Sequence, residues 1–542
     1  MKKILSIFLL ASVAVFSAIA QTGPIVKTVY GKLRGVEEDG IKVFKGVPFA
    51  QPPVGELRWK APQPLKPWKG IRAAVEFGPN PMQQNLFGDM MFSTDKMSED
   101  CLYLNIWTPT KTYNEKLPVF IYFNGGGFLC GSGSEPRYAG MTYAKNGVIA
   151  ITTNYREGIF GFFAHKELSA ETDYHGSGNY GFMDQVAAIK WVKENIAAFG
   201  GDPDRITIMG ESAGSYSVSA LMASPLSRDL INQAMGSSGS ALSEPWISLE
   251  QAEKEGVILM SRLNGLNISH LRTIPAEEIL ANSKMTEVPH YNIDGYFMPC
   301  QPVEIYKAGQ QAQVPCFIGG NNAEMAMNVY MNTENENGYF LDAIEAVTKW
   351  VGPGCVSSQL DIVDKYGISL YRDGLEDTYE LSSDLFIGYS TWKWINLQSS
   401  TSSAPVYRYL YCHPRPPMVN EGLEAGLAGG VKEKDSSDKL TQKPLGAVHS
   451  ADIEYQMGNL DTNKVFAWTK DDYAVSETFM KFSLNFIKTG NPNGTDLPQW
   501  KPVNGELTPP IMIIDLKSYL EISPYIEERY QLLDKTKNNK QK

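Results

Sequence analysis

Arg205-Ile-Thr-Ile-Met-Gly-Glu-Ser-Ala-Gly-Ser-Tyr-Ser-Val-Ser-Ala-Leu-Met222 is the stretch on which the fold turns. Arg205 to Met209 forms a short, β-branched apolar run of the kind a buried parallel strand needs. Ser215 to Met222 is compatible with a helix and ends before Pro225. Between them, Gly210-Glu-Ser-Ala-Gly214 is the one GxSxG in the chain. Strand, tight turn and helix in that order expose the Ser212 hydroxyl at the carboxyl end of a sheet. Glycine is needed on both sides because the turn is tight and neighbouring backbone crowds the serine. The pentapeptide alone is a weak signal, with a plain Gly-rich turn as its bland alternative, so the flanking strand and helix carry the reading.

Working outward, Leu117-Pro-Val-Phe-Ile-Tyr-Phe123 and Val148-Ile-Ala-Ile-Thr-Thr153 are two more apolar runs. Asp184 to Phe199 places Val186, Ile189, Val192 and Ile196 three or four apart, as on one helix face, and stops at Gly200-Gly-Asp-Pro203. Strand, helix and parallel strand imply a right-handed crossover. The expected fold is α/β, with a large, mostly parallel central sheet flanked by helices. Further strand-like runs lie at Val314 to Gly319 and Val406 to Tyr411, and charged, Gly-rich sequence from Asn420 to Lys443 reads as a mobile loop. With no internal repeat and no convincing linker, residues 21–542 read as a single domain.

The 542 residues are 43% hydrophobic and 20% charged, which excludes disorder, collagen and coiled coil. With 49 Lys+Arg against 60 Asp+Glu the net charge is −11, so the basic footprint of a nucleic-acid partner is missing. Lys2 and Lys3, an apolar run from Ile4 to Val15, and Ala18 and Ala20 ahead of Gln21 read as a cleaved export signal over residues 1–20. That implies a periplasmic or secreted protein. The run is shorter than the roughly 20 apolar residues of a bilayer span, so no stable membrane anchor is expected. The six cysteines form no CxxC pair and no HExxH occurs, so neither metal nor cofactor is expected.

A serine hydroxyl is a poor nucleophile until a base takes its proton, and the oxyanion formed on attack needs fixed N–H donors. Asn124-Gly-Gly-Gly-Phe128 directly follows one strand-like run, where three glycines let backbone N–H groups face a substrate oxygen. A phosphate loop is the rival reading, but no Lys-Ser/Thr follows.

These pieces together resemble the type-B carboxylesterases, the α/β-hydrolase family of carboxylesterases, cholinesterases and some lipases. The matching segments are Phe44-Lys-Gly-Val-Pro-Phe-Ala50, Ser98-Glu-Asp-Cys-Leu-Tyr-Leu-Asn105, the triple glycine, Gly178-Asn-Tyr-Gly-Phe-Met-Asp-Gln185, Phe199-Gly-Gly-Asp-Pro203, the Ser212 elbow and Lys488-Thr-Gly-Asn-Pro-Asn493. The resemblance implies an α/β-hydrolase fold and a Ser–Glu–His triad hydrolysing carboxylic esters through an acyl-enzyme. The base is expected at His449, in Gly446-Ala-Val-His-Ser-Ala-Asp-Ile-Glu454, with His413 beside Pro414 read as structural. The acid is expected at Glu324, in Phe317-Ile-Gly-Gly-Asn-Asn-Ala-Glu324, although Met325 replaces the family's usual glycine. Oxyanion donors would be the N–H groups of Gly126, Gly127 and Ala213. Asn124 stands where the family usually has His or Tyr. Cys101 sits in a motif whose usual disulfide partner is missing near Phe77-Gly-Pro79.

Trp246, after Ser237-Ser-Gly-Ser240, is expected either as an apolar wall of the acyl pocket or as plain core. Asn85-Leu-Phe-Gly-Asp-Met-Met-Phe92 has no Trp where cholinesterases hold a quaternary ammonium, which argues against a choline ester specialist. The expected partner is a small-molecule ester, and activity is expected to fall as His449 protonates near or below about pH 6.5. An adhesion or interaction protein on the same fold, a lipase and a carbohydrate acetylesterase are the alternatives, and nothing in the sequence sets an oligomeric state.

Overall fold

Along Leu117–Phe123 the side chains alternate between two dry faces: Val119, Ile121 and Phe123 join one core cluster, and Phe120 and Tyr122 the other. A strand buried on both faces must be apolar throughout, which is why it reads as an unbroken run and not as an alternating one. The computed structural model describes residues 23–540 apart from 85–89, 243–244, 284–290, 326–337, 353–354, 369–374, 426–430, 434–445 and 507. The export-signal segment, most of Asn85 to Phe92 and most of Asn420 to Lys443 therefore lie outside the described residues. Within the last of these, Leu423–Ala425 pairs antiparallel with Val431–Glu433, a short hairpin where an irregular loop was expected.

An eleven-stranded sheet organises the molecule. In chain order its strands are β1 (Val36–Glu38), β2 (Ile41–Pro48), β3 (Tyr103–Thr108), β4 (Leu117–Phe123), β5 (Ile149–Thr153), β6 (Gly201–Glu211), β7 (Gln233–Ser237), β8 (Cys316–Asn321), β9 (Val406–Tyr411), β10 (Ile511–Ile514) and β11 (Tyr519–Glu521). Their spatial order is β11-β10-β9-β8-β7-β6-β4-β5-β3-β2-β1. From β10 across to β5 all neighbours are parallel, and β11, β3, β2 and β1 close the two ends antiparallel.

Helix α1 (Tyr180–Asn195) carries the crossover from β5 to β6, and α2 (Ala213–Ala223) follows β6; both pack on the β4 face that holds Ile121. Helix α4 (Lys470–Thr489) covers the opposite face with Val475, Phe479, Phe482 and Phe486, after α3 (Tyr389–Thr401). The first helix starts four residues ahead of the expected Asp184. Its opening turn, Tyr180 to Met183, is buried all round and shows no polar face to periodicity.

After β4 the chain goes outward to β5, and then β6 returns to the other side of β4. The connections leaving β4 and β6 therefore part, and a crevice opens at the carboxyl ends of these two strands. Register brings Phe123 opposite Gly210, Gly210 opposite Gly236 and Gly236 opposite Ile318, so the loops after β4, β6, β7 and β8 leave the sheet at one level.

Candidate active site

Ser212 is the hinge between β6 and α2, with φ 56° and ψ −123°. A non-glycine residue in such a region costs on the order of 1–3 kcal/mol and persists only where its surroundings force it. Here they do. A Cβ on Gly210 would lie 2.4 Å from the Gly214 carbonyl carbon, and one on Gly214 would lie 2.1 Å from the Phe123 carbonyl oxygen. The Ser212 N–H donates to the Ser237 carbonyl at 2.9 Å, and Tyr216 N–H donates back to the Ser212 carbonyl at 2.9 Å. The hydroxyl thus stands at the start of a helix, whose dipole favours negative charge.

His449 and Glu324 come together although 125 residues separate them. The ring's Nδ1 lies 2.7 Å from Glu324 Oε2, and the His449 backbone N–H donates to the Glu324 carbonyl at 3.1 Å. The other carboxylate oxygen, Oε1, accepts from the Asn321 N–H at 2.7 Å and from the Ser238 hydroxyl at 2.5 Å. Asn321 Nδ2 in turn donates to the Val448 carbonyl at 2.8 Å, tying the acid loop to the loop of the base. Phe386 packs on the imidazole at a right-angled tilt, with centroids 5.2 Å apart. His413, the rival histidine, spends its two ring nitrogens on Asp515 and Asp472, each at 3.1 Å.

The free face of the ring meets a group that sequence reasoning passed over. His449 Nε2 lies 3.3 Å from Oε1 of Glu211, the residue before Ser212. Among the described hydrogen bonds none joins the Ser212 hydroxyl to the ring. Burial alone would lower the His449 pKa, but the Glu211 and Glu324 carboxylates outweigh it and raise the ring to about 9. Burial raises Glu211 to about 8, with Asp452 and Glu324 adding and His449 opposing. Asp452 is raised to about 6, by burial first and Glu324 second. Glu211 and His449 are close enough to titrate as a pair, holding protons to higher pH than either would when exposed. The ring therefore holds its proton above the 6.5 taken from an unperturbed histidine, because it is surrounded by carboxylates that the sequence scatters. Glu211 was in plain view as the second residue of the GxSxG, and Asp452 stands three residues after His449.

The glycine loop packs directly on the elbow. A Cβ on Gly125 would come 3.0 Å from Ser212 Cβ and 2.9 Å from Glu211 Oε2. Gly126 and Gly127 take φ of 112° and 65°, and the Gly126 carbonyl accepts from the N–H groups of Leu129 and Cys130, closing a turn. None of the described hydrogen bonds uses the N–H of Gly126, Gly127 or Ala213. Asn124 holds the loop in place, its Nδ2 donating to the Gly125 carbonyl at 3.0 Å and to Glu157 at 3.2 Å.

Trp246 is 2% exposed and stands among Phe182, Tyr216, Tyr291 and Phe297. Phe128, next to Gly127, contacts three of these rings, so the tryptophan belongs to an aromatic cluster continuous with the glycine loop. All six cysteines are free thiols, with Cys101 buried. Among the described residues no group of three or more His, Cys, Asp or Glu could hold a metal, and no helix is long and apolar enough to cross a membrane.

A parallel sheet whose central strand ends in a strained serine elbow, faced by a glycine loop, is the α/β-hydrolase architecture. Within that class the chain belongs to the carboxylesterase family, whose model, described as "Carboxylesterase family", matches residues 22–532. It is a carboxylic ester hydrolase. The para-nitrobenzyl esterase of Bacillus subtilis is 31% identical over 529 residues, covering 94% of this chain and 99% of that relative. The fumonisin B1 esterase of Sphingopyxis macrogoltabida is 40% identical over 329 residues, or 58% of this chain and 59% of that one. A carboxylesterase structure from Geobacillus stearothermophilus superposes with a TM-score of 0.76 at 30% identity, covering 94% of this chain and 99% of that one.

Proposed function

We propose that the protein cleaves small-molecule carboxylic esters by a Ser212–His449–Glu324 mechanism through an acyl-enzyme. His449 turns its Nε2 from Glu211 to the adjacent Ser212 hydroxyl and takes its proton as the oxygen attacks the ester carbonyl carbon. Glu324 keeps Nδ1 protonated and steadies the imidazolium. The N–H groups of Gly126, Gly127 and Ala213 meet the oxyanion, and each such donor contributes about 3 kcal/mol at the transition state. Collapse expels the alcohol, which leaves with the His449 proton. Water then attacks the acyl-enzyme by the same route, regenerating Ser212 and releasing the acid.

The observation that carries this reading is the 2.7 Å bond between His449 and Glu324 on a ring whose far nitrogen faces the residue before Ser212. Relatives named as para-nitrobenzyl esterase and fumonisin B1 esterase support small-molecule esters as the class. A fluorophosphonate probe tests it: wild type should label at Ser212, and Ser212→Ala should neither label nor turn over p-nitrophenyl esters. An unlabelled wild type, or equal labelling of the variant, refutes it. We also propose that residues 1–20 are removed on export and that residues 21–542 act as one domain. A mature N-terminus at Gln21 is the expected outcome of protein sequencing.

A further inference from the structure

Glu157 is a carboxyl group that the mechanism leaves unused, and its placement is unusual. It is 1% exposed, lies just beyond the end of β5, and no salt bridge reaches it among the described residues. The neighbouring guanidinium is spent elsewhere: Arg156 holds Asp184 on α1 through Nε and Nη2 at 2.8 and 2.7 Å, and its backbone N–H bonds the same carboxylate at 3.0 Å. Glu157 instead accepts at Oε1 from Asn124 Nδ2 at 3.2 Å. Its Oε2 and the Oδ1 of Asn124 are both buried without a partner. Leaving two such oxygens dry and unpaired is costly, and the surrounding packing holds them there.

The flanking residues seize the same loop. The Tyr155 hydroxyl donates to the Asn124 carbonyl at 2.9 Å, and the Gly158 N–H donates to the Phe128 carbonyl at 2.7 Å. Residues 155, 157 and 158 thus grip Asn124 and Phe128, the two ends of the glycine loop, while Arg156 fastens the grip to α1. Asn124 has no slack, since a Cβ on Gly131 would come 1.9 Å from its Nδ2. Burial pushes the Glu157 carboxyl well above the usual range, with the hydrogen bonds from Asn124 and Tyr155 opposing. Its Oε1 accepts from the Asn124 amide as a glutamine carbonyl would.

We propose that Glu157 is a positioning residue that, through Asn124, sets the orientation of the Gly126 and Gly127 N–H groups for the transition state. The inference rests on the oxyanion role assigned to those donors above.

Loss of the grip should appear in turnover and not in ground-state binding. Glu157→Leu should lower kcat ten- to a hundredfold with KM changed by less than about threefold, because the donors act on the oxyanion and not on the ester oxygen. Inhibition by an alkyl boronic acid, which forms a tetrahedral adduct on the serine, should weaken in parallel with kcat. Glu157→Gln, which preserves shape and the acceptor, should restore both. Rates are taken per fluorophosphonate-titrated site, so misfolded protein does not count. If Glu157→Leu fails to fold, Asn124→Ala breaks the same contact from the other side and should give the same kcat loss. Full kcat in both variants, or a Glu157→Gln enzyme as impaired as Glu157→Leu, overturns the proposal. A wild type that the probe does not label overturns instead the serine mechanism beneath it.

Discussion

Replacing Glu211 with Gln removes a charge from the face of His449 that, in the proposed mechanism, receives the serine proton. At 3.3 Å and an effective dielectric of about 20, a full carboxylate there favours the imidazolium by about 5 kcal/mol. Glu211 is itself raised to about 8, so only part of that charge is present near neutrality. Between about pH 7.5 and 8 a quarter to a half of the full interaction is present, which moves the ring's titration by about one to two pH units. The ring must be neutral to accept the proton, so a raised pKa means that activity is lost as pH falls through it. With His449 raised to about 9, wild-type kcat/KM should climb through the alkaline range and not level off above 6.5. In Glu211→Gln the acid limb should shift down by at least one pH unit. The assay is p-nitrophenyl acetate hydrolysis from pH 5 to 10 at constant ionic strength, with p-nitrophenolate absorbance corrected for its own ionisation. An unmoved limb, or one moved upward, refutes the claim that Glu211 holds the proton on His449.

The same groups set a stability trend: folded-state values raised for His449, Glu211 and Asp452 stabilise the fold most at low pH and less as pH rises toward 9. Thermal melts should show Tm falling from pH 6 to 9, and falling less in Glu211→Gln. Gly126→Ala puts a Cβ 1.9 Å from the Cys130 carbonyl oxygen and should lower both Tm and activity. Gly127→Ala meets nothing nearer than 3.9 Å, so its cost is the backbone strain of a φ of 65°, about 1 kcal/mol, and turnover should suffer more than Tm. Arg156→Ala leaves Asp184 buried and unpaired and should destabilise by about 3–5 kcal/mol in urea unfolding. Trp246→Leu should shift the acyl-length optimum across a p-nitrophenyl ester series if the tryptophan walls the acyl pocket, and should change Tm alone if it is only core.

Much of this site was legible because its local pieces are steric. The elbow needs glycine at 210 and 214, where added carbons would collide with backbone, and an apolar strand must precede it, so Ser212 could be read from a dozen neighbouring residues. The glycine loop after β4 was legible for the same reason. His449 and Glu324 were harder, since nothing within either segment distinguishes it from other His or Glu loops, and family resemblance supplied them. Glu211, Asp452 and Glu157 were missed altogether. A glutamate inside a motif or after an arginine looks solvated until the fold shows that it is buried.

The strand and helix segments, the turn chemistry and the serine elbow are properties of short stretches of chain, governed by local backbone geometry and apolar patterning, and the sequence alone determines them. The proton affinity of His449, the contact between Glu211 and the ring, and the grip of residues 155–158 on the glycine loop exist only once β5, β4, β6, β7 and β8 lie side by side in register. Charge interactions and desolvation act through space, over a few ångströms, between residues that stand 33 to 238 positions apart in the chain. Their strength is therefore decided by the tertiary packing that expels the water between them.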